Sequence, residues 1–172
     1  MTIVNINRHV RQIPQPRGST KCWAACIAMV LHRHGPNSDA TVDAVVAEAQ
    51  RNNVPLHRNL SLQRGAVARL AQAFHLEHWK RPDSLGAVLP DRFMIALQRS
   101  AAISLGRLLR EHDPEHDHHA VVLDGLHGET DQLLHIFLHG VDPIVPAGGG
   151  TFDRTVPGFQ TFMRIEHLVY RA

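Results

Sequence analysis

Lysine, cysteine and aromatic residues are scarce in this 172-residue chain, and no apolar segment is long. Lys21 and Lys80 are the only lysines, and the formal net charge is only +2. So small an excess argues against a nucleic-acid or membrane-surface partner. No apolar run approaches the roughly 18 residues of a membrane span, and residues 1–14 lack the apolar core of a Sec signal peptide. We therefore expect synthesis in the cytoplasm, and export by a route without a cleaved signal stays open.

The two cysteines, Cys22 and Cys26, lie four residues apart on a predicted helix. Such helical neighbours place their Cβ atoms about 5–6 Å apart, whereas a disulfide prefers about 3.5–4.5 Å. We therefore expect two free thiols, which suit a reducing compartment. Aromatic residues make up only 5% of the chain, so we expect a mainly aliphatic core in one domain over residues 1–172.

Helical patterns dominate the first half of the chain, after a polar, extended arm that ends near Lys21. Apolar residues at helical spacing predict helices at 20–34, at about 42–49 after a cap at Ser38 or Asp39, from a cap at Ser61 to Phe74, and at 91–98. The second half instead has short apolar and β-branched runs at 101–105, 120–123, 133–138, 159–165 and 168–170.

Turn signals separate these predicted strands. Asp124-Gly125 predicts a turn after the second strand, and residues 128–132 form a polar connection to the third. Two further loops are predicted at 110–118, which is rich in histidine and acid, and at 146–158, which is rich in glycine and proline. Helices followed by antiparallel strands predict an α+β fold.

Cys22 is the first candidate for chemistry, because a polar loop leads directly into an apolar helix at this residue. The unpaired N–H groups and the positive end of the helix dipole favour a thiolate there, and the thiolate is the nucleophilic form. Cys26, one turn later, faces the interior and is expected to be an inert core thiol.

A cysteine nucleophile needs a base and a group that orients the base. His119 stands directly before the β-branched run 120–123, and Asp142-Pro143 ends the next strand. If the two strands are antiparallel neighbours, the start of one lies beside the end of the other, and His119 meets Asp142. His118 is the second candidate for the base, and His119 is favoured because it directly precedes the strand.

Gln15 lies on the arm, seven residues before Cys22. Its side-chain amide, together with the backbone N–H of Cys22, can form an oxyanion hole for a tetrahedral intermediate. Gln12 is the second candidate for this donor.

The ordered set Gln15, Cys22-Trp23-Ala24-Ala25, His119-Ala120-Val121-Val122 and Asp142-Pro143 resembles the papain-like superfamily of cysteine proteases. Within it, the chain is most similar to compact bacterial members, namely bacteriocin-processing peptidase domains and effector proteases of plant pathogens. The resemblance implies an N-terminal helical lobe that carries Cys22 and a C-terminal antiparallel β lobe that carries His119 and Asp142. It also implies peptide-bond hydrolysis through a thioester, without a cofactor.

The resemblance and the small size suggest an effector or toxin that acts on a protein or peptide substrate. An immunity protein or inhibitor is then a natural partner, because it would occlude the cleft.

Three alternatives stay open. Thioester chemistry also serves transpeptidation, deamidation and transglutaminase-like acyl transfer. A papain-like scaffold can also bind a partner without catalysis. Finally, the loop before the second strand is crowded with imidazoles and carboxylates that can bind zinc or nickel: His112, Asp113, Glu115, His116, Asp117, His118 and His119.

Overall fold

The computed structural model describes residues 3–55, 65–85, 87–109, 118–129, 135–144 and 150–172. Within these residues the chain forms five helices and seven strands, in the order β1 (Ile3–Asn7), α1 (Cys22–Val30), α2 (Ser38–Arg51), α3 (Ala66–Ala73), β2 (Leu76–Lys80), α4 (Pro90–Arg99), β3 (Ala102–Leu108), β4 (His118–Glu129), β5 (Ile136–Val141), β6 (Thr151–Thr155), α5 (Val156–Phe162) and β7 (Met163–Arg171). The predicted α+β class is confirmed. No helix in this part of the chain is long and apolar enough to cross a membrane.

The seven strands join one antiparallel sheet, six of them in the order β2-β7-β3-β4-β5-β6, with β1 paired to β4 beside this row. The long central strand β4 pairs with β3 through its first half and with β1 through its second half, while β5 pairs along its other edge. The first strand of the chain is therefore inserted beside the centre of the sheet, where Ile3 lies opposite Glu129.

Apolar side chains alternate along the strands, and this alternation gives the sheet two buried faces. Helices α1, α2 and α3 pack with Ile103, Val122 and Val169 in one core cluster. Helices α4 and α5 pack with Leu123 in a second cluster on the other side, which also contains Phe159. The sheet thus lies between two helical layers, and α1 covers the face that carries Val122.

Helix ends differ from the sequence-based expectation by a few residues. Helix α1 is shorter than the predicted 20–34, and the chain turns at His32 with φ of 52°. Asn37, not Ser38 or Asp39, caps α2 by accepting a 2.8 Å hydrogen bond from the Ala40 N–H. The predicted Ser61 cap lies outside the described residues.

The sequence patterns missed β1, β2, β6 and α5. The predicted loop 146–158 is wrong from residue 151 onward, because Thr151–Thr155 pairs with β5. The predicted strand 159–165 is wrong in its first part, since Thr155 caps a short helix by accepting from the Gly158 N–H at 3.1 Å. The two last predicted strands are one continuous strand, β7.

The predicted turn at Asp124-Gly125 is also wrong. Strand β4 continues to Glu129, and the register against β5 shifts between Leu123 and Gly125. Asp124 is therefore the extra residue of a β-bulge, which a turn-like dipeptide signals as readily as a turn. The antiparallel pairing expected between the strands on either side of residues 130–134 is confirmed.

Phe159 fixes α5 to the sheet, so its truncation should be costly. The ring is fully buried, meets Phe93 edge to face at 6.5 Å and stacks on Phe152 at 5.6 Å between centroids. We expect Phe159→Ala to lower the free energy of unfolding by about 3–5 kcal/mol. Phe137→Ala, at a half-buried position, should cost clearly less, and equal costs in urea unfolding would contradict this packing.

Candidate active site

Cys22 is the first residue of α1, and Lys21 is its N-cap. The N–H groups of Ala24 and Ala25 both donate to the Lys21 carbonyl, so those of Cys22 and Trp23 precede the first intrahelical bonds. The residues from Trp23 to Val30 are all buried, which fixes the helix in the core, while Cys22 itself stays half-buried. The thiol is therefore held rigidly at the positive end of the helix dipole.

His119 and Asp142 meet at one end of the sheet. His119 is the second residue of β4, and Asp142 directly follows the last residue of β5, where Val122 lies opposite Val141. The His119 Nε2 atom lies 2.8 Å from Asp142 Oδ1, with side-chain exposures of 3% and 25%. The Ile144 N–H donates to the same carboxylate oxygen at 2.8 Å, which holds the carboxylate after Pro143 ends the strand.

The Cys22 thiol lies close enough to the same imidazole to raise its pKa. Because Asp142 occupies Nε2, the Nδ1 atom of His119 is the nitrogen left for the thiol. Burial lowers the pKa of His119, but the hydrogen bonds and negative charges of Asp142 and Cys22 outweigh it and raise that pKa to about 10. The imidazole therefore lies between two groups that carry negative charge when ionised. The structure thus brings together Cys22, His119 and Asp142 from three separate elements.

The arm before α1 brings Gln15 to the same end of the sheet. Its backbone N–H donates to the Pro143 carbonyl at 2.9 Å, one residue beyond Asp142. Its side-chain Nε2 donates to the Ser19 carbonyl at 2.7 Å, while its Oε1 is buried without a hydrogen-bond partner. One side-chain N–H of Gln15 therefore holds the loop before Cys22. The second N–H is on the same nitrogen atom, whose position that bond fixes.

Gln12 also lies near the strand end that carries Asp142. Its Nε2 atom is buried without a hydrogen-bond partner and lies close to Gly150, where an added Cβ would come within 2.5 Å of it. That Cβ would also come within 2.1 Å of the Asp142 carbonyl oxygen, so only glycine fits at position 150. Both candidate glutamines therefore lie beside the strand end that carries the acid.

The two candidate histidines have different carboxylate neighbours. The Nε2 atom of His118 lies 3.7 Å from Glu166 of β7, whereas His119 contacts Asp142. The Cys22 thiol is among the groups that raise the pKa of His119.

Sequence reasoning missed a second pair of acid and histidine on the same two strands. Asp124 is 3% exposed, and its Oδ1 lies 2.6 Å from Nδ1 of His139 on β5. A carboxylate in the middle of the apolar run Val121–Leu126 was the signal, because a charge in a core strand must be paired to be buried. The turn predicted at Asp124-Gly125 concealed it.

The metal alternative finds no support in the described part of the chain. No group of three or more histidine, cysteine, aspartate or glutamate side chains there is placed to hold an ion. His112, Asp113, Glu115, His116 and Asp117 lie outside the described residues. His118 and His119, the last two members of that proposed cluster, contact Glu166 and Asp142.

Comparison with known proteins identifies no family for this chain, since no family model and no curated protein sequence matches it.

The two thiols should differ sharply in reactivity. Cys26 is fully buried, and burial, followed by the charges of Cys22 and Asp142, raises the pKa of its thiol well above the ordinary value. We expect iodoacetamide at neutral pH to modify Cys22 alone in the folded protein and both cysteines in denaturant. Peptide mass mapping measures the two sites, and modification of Cys26 at a similar rate in the folded protein would contradict this placement.

Proposed function

We propose that this protein is a papain-like cysteine peptidase in which Cys22 is the nucleophile, His119 the general base and acid, and Asp142 the group that orients the imidazole. The single observation that carries the proposal is the 2.8 Å hydrogen bond between the buried His119 imidazole and Asp142, with the Cys22 thiol close enough to raise the pKa of the same ring. This imidazole lies between a thiol at a helix start and a carboxylate, which is the arrangement that an activated cysteine nucleophile needs. In the terms of that family, α1 and its neighbours form the helical lobe, and β3, β4, β5 and β7 form the β lobe.

The first half-reaction follows from these roles. His119 Nδ1 takes the proton of Cys22, and the thiolate attacks the carbonyl carbon of the scissile peptide bond. The developing oxyanion accepts hydrogen bonds from the Cys22 N–H and from the second side-chain N–H of Gln15, with Gln12 as the other candidate donor. The C–N bond then breaks as His119 returns the proton to the leaving amine, which leaves a thioester on Cys22.

The second half-reaction regenerates the enzyme. His119 takes a proton from water, the hydroxyl oxygen bonds to the thioester carbon, and the C–S bond breaks to give the carboxylic acid and Cys22. Asp142 stabilises the imidazolium each time it forms. No step needs a cofactor. An amine in place of water would give acyl transfer through the same thioester, and a glutamine side chain as substrate would give deamidation.

The test is the reaction of an unstructured peptide mixture in H₂¹⁸O, with and without an added primary amine. Mass spectrometry then identifies the products. Hydrolysis incorporates one ¹⁸O at each new C-terminus, whereas an amine adduct indicates transfer and a mass gain at intact glutamine indicates deamidation. Cys22→Ala should abolish all products, and Cys26→Ala is the matched control that should retain them. Equal cleavage by wild type and Cys22→Ala would exclude the proposal.

The pH dependence tests the role of Asp142. Leaving-amine protonation needs the His119 imidazolium, so kcat/KM for an amide substrate should fall at alkaline pH, near the His119 pKa of about 10. Asp142→Asn removes a negative charge that raises this pKa, so the alkaline fall should move to lower pH. Asp153→Asn, at an exposed position of β6, is the matched control. An alkaline limb that is the same in wild type and Asp142→Asn would contradict the assignment.

The biological setting that fits a small peptidase of this kind is an effector or toxin that acts on the proteins of another cell, with an immunity protein or inhibitor as partner. Induced expression in bacteria tests this part separately. Wild-type protein should slow growth while Cys22→Ala should not, and equal growth of the two cultures would remove the support for a toxin.

A further inference from the structure

The pair Asp124–His139 has no part in the reaction proposed above, although Asp124 is one of only four buried polar or charged residues in the described part of the chain. A buried carboxylate is costly unless each oxygen has a partner. Here Oδ1 lies 2.6 Å from Nδ1 of His139, and Oδ2 accepts a hydrogen bond from the Val10 N–H at 3.3 Å. The buried carboxylate in the central strand therefore binds the arm through Val10 and β5 through His139.

The backbone of Asp124 binds the same arm. Its carbonyl accepts a hydrogen bond from the Arg8 N–H at 2.7 Å, directly after the pairing of Asn7 with Gly125 ends β1. The side chain of Arg8 then reaches across to α4, where its guanidinium donates to the carbonyls of Leu97 and Gln98. Residues 8–10 are thus fixed by one bulge residue on one side and by a helix end on the other.

The bulge explains why a charged side chain can take this position. An extra residue in one strand turns its side chain out of the normal alternation. Leu123 and Gly125 remain paired with Gly140 and His139, so Asp124 has no opposite residue on β5. Its carboxylate faces both His139 and the arm.

The arm continues from the fixed residues 8–10 to the candidate oxyanion donor, Gln15. Ile13 is buried in the core cluster of α1, and the Gln15 N–H bonds the Pro143 carbonyl. Only four residues separate Val10 from Gln15, which is a short enough link to pass a shift of residues 8–10 on to the donor. A misplacement of about 1 Å at an active site can cost about 100-fold in rate.

We propose that Asp124, held by His139, is a positioning residue that fixes the arm and thereby places the Gln15 amide at the oxyanion hole. This inference rests on the proposed acyl chemistry of Cys22. It assigns a role to two residues that touch neither substrate nor the Cys22–His119 pair. The chemical consequence is that a change at Asp124 should slow acylation of the Cys22 thiol but not its alkylation.

Alkylation and acylation separate these effects. Iodoacetamide alkylates the thiolate by displacing iodide from carbon, and no oxyanion forms. Acylation by a p-nitrophenyl ester passes through a tetrahedral oxyanion and needs the donor. We therefore expect Asp124→Asn to lower the acylation rate constant about 10- to 100-fold while the alkylation rate of Cys22 changes less than about 2-fold.

His139→Gln should show the same split to a smaller extent, since Asp124 keeps its bond to Val10. Asp153→Asn is the matched control, because Asp153 pairs opposite His139 on β6 and is half exposed. Both rates should be unchanged in that variant. Amide hydrogen exchange should also quicken across residues 8–15 in Asp124→Asn, with α1 still protected.

Three outcomes decide the matter. Equal acylation by wild type and both variants would overturn the inference while the proposed function stands. Parallel loss of alkylation and acylation, or loss of protection in α1, would mean a general structural role and would also overturn it. A wild-type protein that alkylates but acylates with no ester or peptide would overturn the proposed function itself, and this inference with it.

Discussion

The antiparallel pairing of β4 with β5 is the constraint on which the candidate site depends. It places the start of one strand beside the end of the other, and so sets the spacing between His119 and Asp142 without any loop having to fold correctly. Helix α1 packs over the same strands and brings the thiol to the imidazole. The arm bonds to Pro143 at the same strand end. Four parts of the chain therefore converge because two strands are in register.

The fold class and the strand-end positions of His119 and Asp142 were predictable because they rest on local signals. A β-branched run after a histidine and an Asp-Pro dipeptide after another run mark strand boundaries directly. Helix α1 was predictable for the same reason, since its apolar repeat begins at Trp23. To predict the contacts among the three side chains, one further assumption was needed. It is that β4 and β5, which are close in sequence, pair with each other.

Other features depend on distant residues and had no local signal. Strand β1 has a mixed polar sequence, Ile3–Asn7, that becomes a strand only because β4 offers it a partner more than a hundred residues later. Leu76–Lys80 similarly pairs with the end of the chain. The Asp124 bulge and the helix at 156–162 use the residues of turns and loops, so tertiary packing decides between structures that glycine, proline and aspartate allow equally.

The sheet topology also has a consequence for the order of synthesis. Cys22 is made before its imidazole and carboxylate, which follow about 100 and 120 residues later, and β3 pairs along its other edge with β7, which follows later still. Long-range strand pairs of this kind form late, because the loop between them must be closed first. The Cys22 thiol therefore has neither partner until β4 and β5 have been made. Its most reactive arrangement arises only when β4 pairs with β5 and α1 packs over them.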